Sequence, residues 1–238
     1  MNPSSEFQEA LQRAKLDALK ELAYGASHEI NNPLANIAAR AQSLLRDEAD
    51  AERRRALEAI HQQALRAHEM ISDLMLFARP PQLQPRPTEV GAILEQLRAE
   101  LAPEFASRDI LFTLAADPPP PPISADSVQL AVAIKALLVN SMQAIGRDGR
   151  VEATARVEPA QGVLAVAVRD SGPGIPERVR EHMFDPFYSG REAGRGLGFG
   201  LSKCWRIVQL HGGRVQVRDA PEGGALIAIE LPLPAPGA

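Results

Sequence analysis

A histidine next to a carboxylate, His28 and Glu29, stands early in the chain within the stretch Ser-His-Glu-Ile-Asn-Asn-Pro-Leu. A carboxylate beside an imidazole can hold one ring tautomer and make the ring a better nucleophile. Asn32 follows His28 by four residues, which in a helix places both side chains on one face. The pair therefore suggests covalent chemistry at a ring nitrogen, with an ordinary surface histidine as the simpler alternative.

The residues around His28 follow a helical pattern. Apolar residues recur at spacings of three and four and form one stripe, namely Leu19, Leu22, Ala26, Ile30, Pro33 and Ile37. His28 falls roughly 200° from Ala26 at about 100° per residue, so we expect it to face solvent. A proline inside a helix costs roughly 3 kcal/mol and bends the helix. Because Pro33 stands close to the exposed pair His28 and Glu29 in spite of this cost, we interpret the bend as functional.

Two long helices are predicted for the first part of the chain. They cover about residues 7–46 and 51–78, and the second has an apolar stripe that runs from Leu57 to Phe77. A lone helical hairpin buries its stripe poorly, whereas two hairpins close a four-helix bundle. We therefore predict a homodimer through residues 1–79. His61 and His68 flank this stripe, and we interpret them as solvated or packing residues.

A proline-rich stretch, residues 80–87, interrupts the helical pattern and predicts an extended connector between two domains. Beyond it we expect Thr88 to cap one helix and Asp126 to cap another that ends near Ile145. Five strand-like runs follow or separate the helices: Ile110–Ala115, Val151–Val157, Val163–Val168, Arg214–Arg218 and Ala225–Leu231. The expected fold class is α+β, with one sheet covered by helices on one face.

Three segments of the second part have residue types that suggest a nucleotide-binding site. Asn140 interrupts an apolar helix, where a buried amide satisfied by the backbone is the alternative. Asp170 ends a strand, and a fixed carboxylate there can accept from the amine of adenine, while Gly172 and Gly174 let the backbone approach the ring. A simple turn is the alternative for that loop. The alternating glycines of residues 194–200 precede a helix, whose first N–H groups bind phosphate.

Taken together and in this order, these segments resemble the boxes of the sensor histidine kinases of two-component systems, over about residues 20–232. The matching segments are His28–Leu34 for the phosphoacceptor box, Ala136–Ile145 for the asparagine box, Asp170–Ile175 for the first glycine box, Phe184–Tyr188 for the phenylalanine box and Gly194–Leu201 for the second glycine box. The resemblance implies a dimeric antiparallel helical hairpin, residues 1–79, a linker, residues 80–87, and an α/β sandwich of the GHKL or Bergerat ATPase type, residues 88–238.

The resemblance also implies an activity. ATP would phosphorylate His28, Glu29 would accept or orient the ring proton, and the phosphoryl group would pass to an aspartate of a response regulator receiver domain. Glu29 and Asn32 match the family's pattern for dephosphorylating that partner, so phosphatase activity is implied too. The family's asparagine binds Mg²⁺, which implies that role for Asn140. The residues implied in ATP binding are Asn140, Asp170, Gly172, Gly174, Phe187, Arg191, Gly196, Leu197, Gly198, Gly200 and Leu201.

Two positions depart from the family or stay open. Ala136 stands four residues before Asn140, where the family often has a polar residue, and Lys135 or Gln143 would have to substitute for it. Arg191 falls where the family commonly has a lysine, and it either pairs with the terminal phosphate or is a solvated cation. The alternative function is therefore a nucleotide-binding scaffold or a phosphatase module that lacks autokinase activity.

Composition narrows the function classes further. The 238 residues have a formal net charge of −4, which argues against non-specific binding of nucleic acid. A single cysteine, Cys204, excludes an internal disulfide and thiol-rich zinc sites, and we expect it in a core. No run reaches the roughly 18 apolar residues of a membrane span, and the first residues lack a secretory pattern, so we expect a cytoplasmic chain.

Overall fold

The computed structural model describes residues 29–115, 119–185, 188 and 198–233 of the chain. The chain divides into two compact units, residues 1–81 and residues 82–238. The described part of the first unit consists of two helices, and all of the described strands belong to the second unit.

The first unit contains two long helices that a short turn connects. Helix α1 is described over residues 29–45 and continues through Pro33, as its periodicity predicts. Helix α2 covers Ala51–Ala78, the predicted bounds. Its N-cap is Asp50, whose carboxylate accepts from two backbone N–H groups of the first helical turn at 3.0 and 2.9 Å. This cap fixes where the turn ends and α2 begins.

One side-chain contact shows how the two helices pair. Nδ1 of His61 on α2 lies 3.0 Å from the carbonyl oxygen of Ala38 on α1. Ala38 precedes the turn by about as many residues as His61 follows it, so the helices run antiparallel. Small residues line the buried side, since Ala38, Ala41 and Ala64 are all buried. His61 is therefore a packing residue, one of the two interpretations that the sequence offered.

Large apolar side chains remain exposed on this hairpin. They are Ile30, Ile37, Leu44, Ile60, Leu65 and Met70. Part of this surface forms an open apolar groove lined by Leu34, Ile37, Ala59, Ile60, Gln63 and Ala64. Within the described residues, the hairpin therefore leaves much of its apolar surface uncovered.

The second unit contains seven described strands and four described helices. The strands are β1 (Arg86–Thr88), β2 (Ile110–Ala115), β3 (Ile123–Ala125), β4 (Gly149–Glu158), β5 (Val163–Asp170), β6 (Arg214–Asp219) and β7 (Ala225–Pro232). The helices are α3 (Val90–Ser107), α4 (Ser127–Ile145), α5 (Glu177–Arg180) and α6 (Gly200–Leu210).

Five of these strands form the main sheet, in the spatial order β2-β4-β5-β7-β6. Strands β4 and β5 pair antiparallel, as predicted, with Ala155 opposite Val166. Strand β2 pairs parallel to β4, which the sequence analysis did not anticipate. Helix α3 lies between β1 and β2, before the parallel pair begins. Helix α4 lies between β3 and β4 and therefore belongs to the crossover that joins β2 to β4.

Helices α3, α4 and α6 pack with the sheet to form the core. Alternate residues of β5 are buried, among them Leu164, Val166 and Val168, so the sheet has one strongly buried face. Helix α4 is the described helix long and apolar enough to span a membrane, and half of it is buried inside the unit. Its packing in this core accounts for its apolar composition. The predicted α+β class is confirmed.

The prediction that Thr88 caps a helix is wrong. Helix α3 begins after Glu89, which makes no side-chain capping bond. Thr88 instead ends β1, which pairs antiparallel with β3, and its hydroxyl lies 2.9 Å from the carbonyl oxygens of Arg86 and Ala125. The end of the proline-rich stretch is therefore held as a strand by a partner that the local sequence does not reveal.

Candidate functional site

The phosphoacceptor segment is described only from Glu29 onward. His28 lies outside the described residues. Glu29 and Asn32 are both exposed on α1, and their spacing of three places them on neighbouring positions of one face. Both polar side chains are thus accessible at the start of the described part of α1.

Asp170 is the centre of the second candidate site. It is the last residue of β5 and only 3% exposed. Its Oδ1 accepts hydrogen bonds from the backbone N–H groups of Gly172 at 2.9 Å and Ala225 at 3.2 Å. Its Oδ2 accepts from the hydroxyl of Ser141 on α4, at 3.1 Å. Three elements of the fold therefore fix this buried carboxylate.

The two glycines after Asp170 lie in close contact with the surrounding backbone. A Cβ at Gly172 would come within 3.0 Å of Asp170 Oδ1 and 3.5 Å of Ala144 on α4. Gly174 has a φ of +78°, and a Cβ there would be 3.4 Å from the carbonyl oxygen of Gly224. A side chain at either position would crowd the carboxylate or the adjacent turn, so contacts within the protein already favour glycine at both positions.

The turn between β6 and β7 supports the site, and the sequence analysis missed it. Gly224 has a φ of +92°, and a Cβ there would lie 1.8 Å from the carbonyl oxygen of Asp170. The next residue, Ala225, supplies one of the N–H donors to the carboxylate. Two consecutive glycines at 223 and 224 signal a turn in the sequence, but local sequence does not show that the turn packs against Asp170.

An arginine that the sequence analysis did not select holds the glycine loop from its other end. Nε–H of Arg180 donates to the carbonyl oxygen of Ile175 at 2.9 Å. The same guanidinium pairs with the carboxylate of Asp219 at the end of β6. Arg180 thus ties the end of the loop to the hairpin that also contacts Asp170.

Asn140 lies next to Ser141 on α4, on a partly exposed position. Because Ser141 bonds directly to Asp170, Asn140 is at the same level of the helix as the carboxylate. Ala136, one turn earlier, is 7% exposed and offers no polar side-chain atom. Lys135 bonds to Glu100 on α3 at 2.5 Å, so its ammonium group is engaged there.

A partly buried polar cluster shows the relative direction of α4 and α6. The backbone N–H of Asp126, at the start of α4, donates to Nε2 of His211 at 3.0 Å. His211 follows the end of α6, and its Nδ1 lies 2.8 Å from the carbonyl oxygen of Ile207. Nε2 is therefore the acceptor and Nδ1 has the proton. Since the two helices pack together, α4 and α6 run antiparallel.

This antiparallel packing brings the candidate residues of both helices to one end of the unit. At 1.5 Å per residue, Asn140 lies about 21 Å along α4 from Asp126. Gly200, the first residue of α6, lies about 16 Å from His211 on the same scale. The N-terminus of α6 therefore faces the segment of α4 near Asn140.

The same cluster holds the proline-rich segment. Asp126 caps α4 as predicted, and its Oδ2 also accepts from the backbone N–H of Gln84 at 3.0 Å. Burial raises the pKa of this carboxyl, but hydrogen bonds from the backbone N–H groups of Gln129, Gln84 and Val128 outweigh burial and lower the pKa below its ordinary value. Asp126 thus joins three segments, because its carboxylate accepts from Gln84 and from the first turn of α4 while its backbone N–H donates to His211.

The second glycine segment is described only from Gly198. That residue has a φ of +73°, and a Cβ there would lie 2.1 Å from the carbonyl oxygen of Tyr188, so the position requires glycine. Gly200 begins α6 and is followed by the partly buried Leu201. Four predicted nucleotide-binding residues lie outside the described residues: Phe187, Arg191, Gly196 and Leu197.

In the part of the chain that the structure describes, no group of three or more His, Cys, Asp or Glu side chains could hold a metal ion. A Mg²⁺ site with one asparagine oxygen as its protein ligand, as the resemblance implies for Asn140, would not contain such a group. Cys204 is fully buried on α6, and burial raises the pKa of its thiol to about 12. It is a core residue, as predicted.

Two family models match the chain. The His Kinase A (phospho-acceptor) domain matches residues 18–82. The histidine kinase-, DNA gyrase B- and HSP90-like ATPase family matches residues 125–235. The first match includes the segment from His28 to Asn32, and the second includes Asn140, Asp170 and the glycines of both boxes.

Curated relatives show the same two parts. The chain is 34% identical over 230 residues to the sensor histidine kinase ZraS of Klebsiella oxytoca, which covers 96% of this chain and 49% of that protein. It is 33% identical to the C4-dicarboxylate transport sensor protein DctB of Rhizobium meliloti, over 91% of this chain and 35% of that protein. The chain thus spans about half or less of the length of these relatives.

Solved structures share the fold. Full-length ShkA in complex with AMPPNP superposes with a TM-score of 0.77 and 26% identity, over 89% of this chain and 45% of that chain. Histidine kinase ThkA in complex with the response regulator protein TrrA gives a TM-score of 0.69 over 100% of this chain and 69% of that chain. At 21% identity, the second likeness shows the fold alone.

Proposed function

The chain belongs to the sensor histidine kinases of two-component systems, and we propose that it transfers the γ-phosphoryl group of ATP to His28 and then to an aspartate of a response regulator. The observation that supports this most is the buried Asp170 carboxylate, which three elements fix beside the helix that contains Asn140. A carboxylate held in this way suits recognition of the adenine amine, and ShkA, a structural relative, was solved with the nucleotide AMPPNP.

We divide the chain into three functional parts. Residues 1–79 form the dimerisation and phosphotransfer hairpin, residues 80–87 the linker and residues 88–238 the ATP-binding domain. The exposed apolar residues of α1 and α2 support a homodimer, because a second hairpin would cover them. ThkA, which shares the fold, was solved with the response regulator protein TrrA, and we propose a partner of that kind, a receiver domain, for this chain. We place these parts in the cytoplasm, where ATP is available, with no membrane span among them and no nucleic acid as partner.

The first step would form a P–N bond to a ring nitrogen of His28 as the bond between the γ-phosphorus and its bridging oxygen breaks, and ADP leaves. Glu29 would accept the proton from the other ring nitrogen or orient the ring. Such transfer depends mainly on positioning and on neutralising charge. Arg191 would supply a cation at the terminal phosphate, and Glu29 with Asn32 would orient water when the response regulator is dephosphorylated.

The remaining nucleotide contacts follow from the glycine segments. Gly172 and Gly174 would let the backbone approach the base, and Phe187 would anchor the loop of the phenylalanine box. Gly196, Leu197, Gly198, Gly200 and Leu201, in the second glycine box, would place backbone N–H groups at the phosphates. Asn140 would hold Mg²⁺, which, when bound, neutralises phosphate charge. One neutral oxygen on a partly exposed position fits an ion that keeps most of its waters.

Incubation of the chain with γ-labelled ATP tests the first step. We expect a label on the protein that is labile in acid and stable in alkali, as a phosphoramidate is. His28→Gln abolishes the label while ATP still binds. His68→Gln, a substitution at an exposed histidine of α2, is the matched control and keeps the label. A label that survives acid, or one that persists in His28→Gln, contradicts the proposal.

A second function is favoured by one observation. Ala136 is buried and has no polar atom where the family often has one, and Lys135 is bonded to Glu100. The lack of a polar side chain at position 136 would be compatible with a nucleotide-binding scaffold, or with a phosphatase that has no autokinase activity. Measuring ATP affinity and autophosphorylation separately distinguishes the two functions, since the alternative predicts binding without labelling.

A further inference from the structure

A buried hydroxyl lies between α4 and the end of β5. Ser141 is 2% exposed on a helix whose neighbouring buried residues, Leu137, Leu138 and Met142, are apolar. A hydroxyl buried among such residues is costly unless it is hydrogen-bonded. The hydroxyl of Ser141 finds its partner in Oδ2 of Asp170, at 3.1 Å. The helix thus places one donor on the face that meets the carboxylate.

The donors around Asp170 nearly fill its hydrogen-bonding capacity. An ionised carboxylate has about four lone-pair sites, two on each oxygen. The N–H groups of Gly172 and Ala225 occupy both sites of Oδ1, and Ser141 occupies one site of Oδ2. The described donors therefore leave one acceptor site, and it is on the oxygen that Ser141 holds.

We propose that Ser141 is a positioning residue for base recognition, which rests on the proposed binding of ATP at Asp170. Its hydroxyl fixes Oδ2 so that the remaining lone pair meets the exocyclic amine of adenine. Both backbone donors bind Oδ1, so without Ser141 nothing described holds Oδ2 in place. A base with a carbonyl oxygen at that position would put two acceptors against each other, so the arrangement selects an amino group.

The test compares ATP with purine riboside 5′-triphosphate, which has the same ring and phosphates but no exocyclic amine. Affinities are measured by titration calorimetry on the full chain with His28→Gln, so that no phosphoryl transfer occurs. Because hydrogen bonds to charged groups are stronger than those between neutral groups, we expect Ser141→Ala to lower the affinity for ATP by about tenfold. We expect the affinity for purine riboside 5′-triphosphate to stay within about twofold, because that ligand has no amine to orient.

Two further variants separate positioning from folding. Ser202 is buried on α6, and its hydroxyl donates to the carbonyl oxygen of Phe199 at 3.1 Å rather than to Asp170. Ser202→Ala is therefore the matched control, and any effect it has falls equally on both nucleotides. Ser141→Cys keeps the size of the side chain and a weak donor, so it restores part of the preference for ATP. It also replaces Ser141→Ala if that variant does not fold.

The outcomes distinguish this inference from the proposed function. Equal losses for both nucleotides in Ser141→Ala, or an unchanged preference for ATP, overturn the role of Ser141. Asp170→Asn must abolish the preference for ATP in the same assay. If the parent chain binds neither nucleotide, the proposed function itself fails. If it binds ATP no better than purine riboside 5′-triphosphate, the amine is not read and the inference fails alone.

Discussion

The two units differ in how completely they bury their own apolar residues. Among the residues that the structure describes, the largest fully buried side chains all belong to the second unit: Leu94, Leu97, Leu101, Ile123, Leu130, Ile134, Leu137, Leu138, Met142, Leu164, Ile207 and Ile229. The described part of the hairpin buries mainly alanines at the contact between its helices and leaves six large apolar side chains exposed. The second unit has a closed core, whereas the described part of the hairpin leaves large apolar side chains exposed.

This difference indicates a division of tasks. A site that recognises a nucleotide needs fixed groups, and the second unit fixes Asp170 from α4, from its own loop and from the β6–β7 turn. A helix pair that must assemble and meet a partner instead needs accessible surface. Substitutions in the second unit should therefore act on ligand binding and unfolding, and substitutions on the hairpin should act on association.

The largest effect on binding is expected from Gly224→Ala. The new Cβ would collide with the carbonyl oxygen of Asp170, and the positive φ adds strain. A displacement of about an ångström at a positioned group can cost about 100-fold, so we expect ATP affinity to fall by about that factor. Titration calorimetry with ATP measures it.

Gly223→Ala is the matched control for that substitution. Gly223 has nearly the same φ, +91°, but a Cβ there meets nothing within 4 Å. Strain alone would cost roughly 1–2 kcal/mol of unfolding free energy, and ATP affinity should stay near that of the parent chain. Equal losses of affinity in both variants would mean that strain, and not contact with Asp170, governs the site.

A comparably clear effect on association is expected from Ile60→Glu. Ile60 is 48% exposed and lines the apolar groove of the hairpin. If a second hairpin covers it, two carboxylates enter the interface of the symmetric dimer, and the dissociation constant should rise by about 100-fold. Analytical ultracentrifugation over a range of concentrations gives this constant.

Val128→Glu provides the contrast in the second unit. Val128 is 73% exposed in the first turn of α4, where an acidic residue is favourable for the helix dipole. We expect no change in association and a change in stability within about 0.5 kcal/mol. If Ile60→Glu behaves in the same way as Val128→Glu, the exposed apolar surface of the hairpin does not mediate dimerisation.

The sequence predicts best where the structure depends on local periodicity. The bounds of α2, the cap at Asp126 and the antiparallel pair β4–β5 all follow from spacing or from capping chemistry within a few residues. Thr88 was misread because its strand exists only through pairing with β3, more than thirty residues away. Short strands that depend on a distant partner have no periodic signal of their own.

The candidate site shows the same limit of local information. Residue type singled out Asp170, Gly172 and Gly174 as candidates, since a carboxylate at a strand end can accept from the amine of adenine and glycines let a backbone approach the ring. Ser141 and Gly224 were missed because their roles depend on contacts with Asp170 that the fold creates. In the local sequence, Ser141 is only a small polar residue next to Asn140 in an apolar helix, and nothing there indicates its contact with Asp170.

A smaller effect is expected when the two aspartate caps are compared. Asp50 caps α2 at an exposed position, whereas Asp126 is 8% exposed and also accepts from Gln84. Asp50→Ala should cost about 1 kcal/mol. Asp126→Ala should cost about 2 kcal/mol because three buried or partly buried N–H groups lose their acceptor. Chemical denaturation of each variant measures these free energies of unfolding.

The pH dependence of the Asp126 effect has a defined sign. The pKa of Asp126 is lower in the folded than in the unfolded state. Its stabilisation is therefore full above the unfolded pKa of about 4 and is lost as the pH falls through the lower folded pKa. The difference between the parent chain and Asp126→Ala should be constant from pH 7 to 5 and shrink below pH 4. A difference that grows on acidification contradicts this assignment.

The smallest expected effect is that of Ile60→Glu on the reactivity of the Cys204 thiol. It tests whether the second unit stays closed independently of the hairpin. Burial raises the pKa of its thiol to about 12, so a thiol reagent at pH 8 should modify it only when the second unit opens. Ile60→Glu should leave the rate of modification unchanged, because the second unit closes its own core. Asp126→Ala should accelerate it by roughly 30-fold if about 2 kcal/mol is lost and modification follows the opening equilibrium. A faster reaction in Ile60→Glu would instead mean that dimerisation of the hairpin helps to hold the second unit closed.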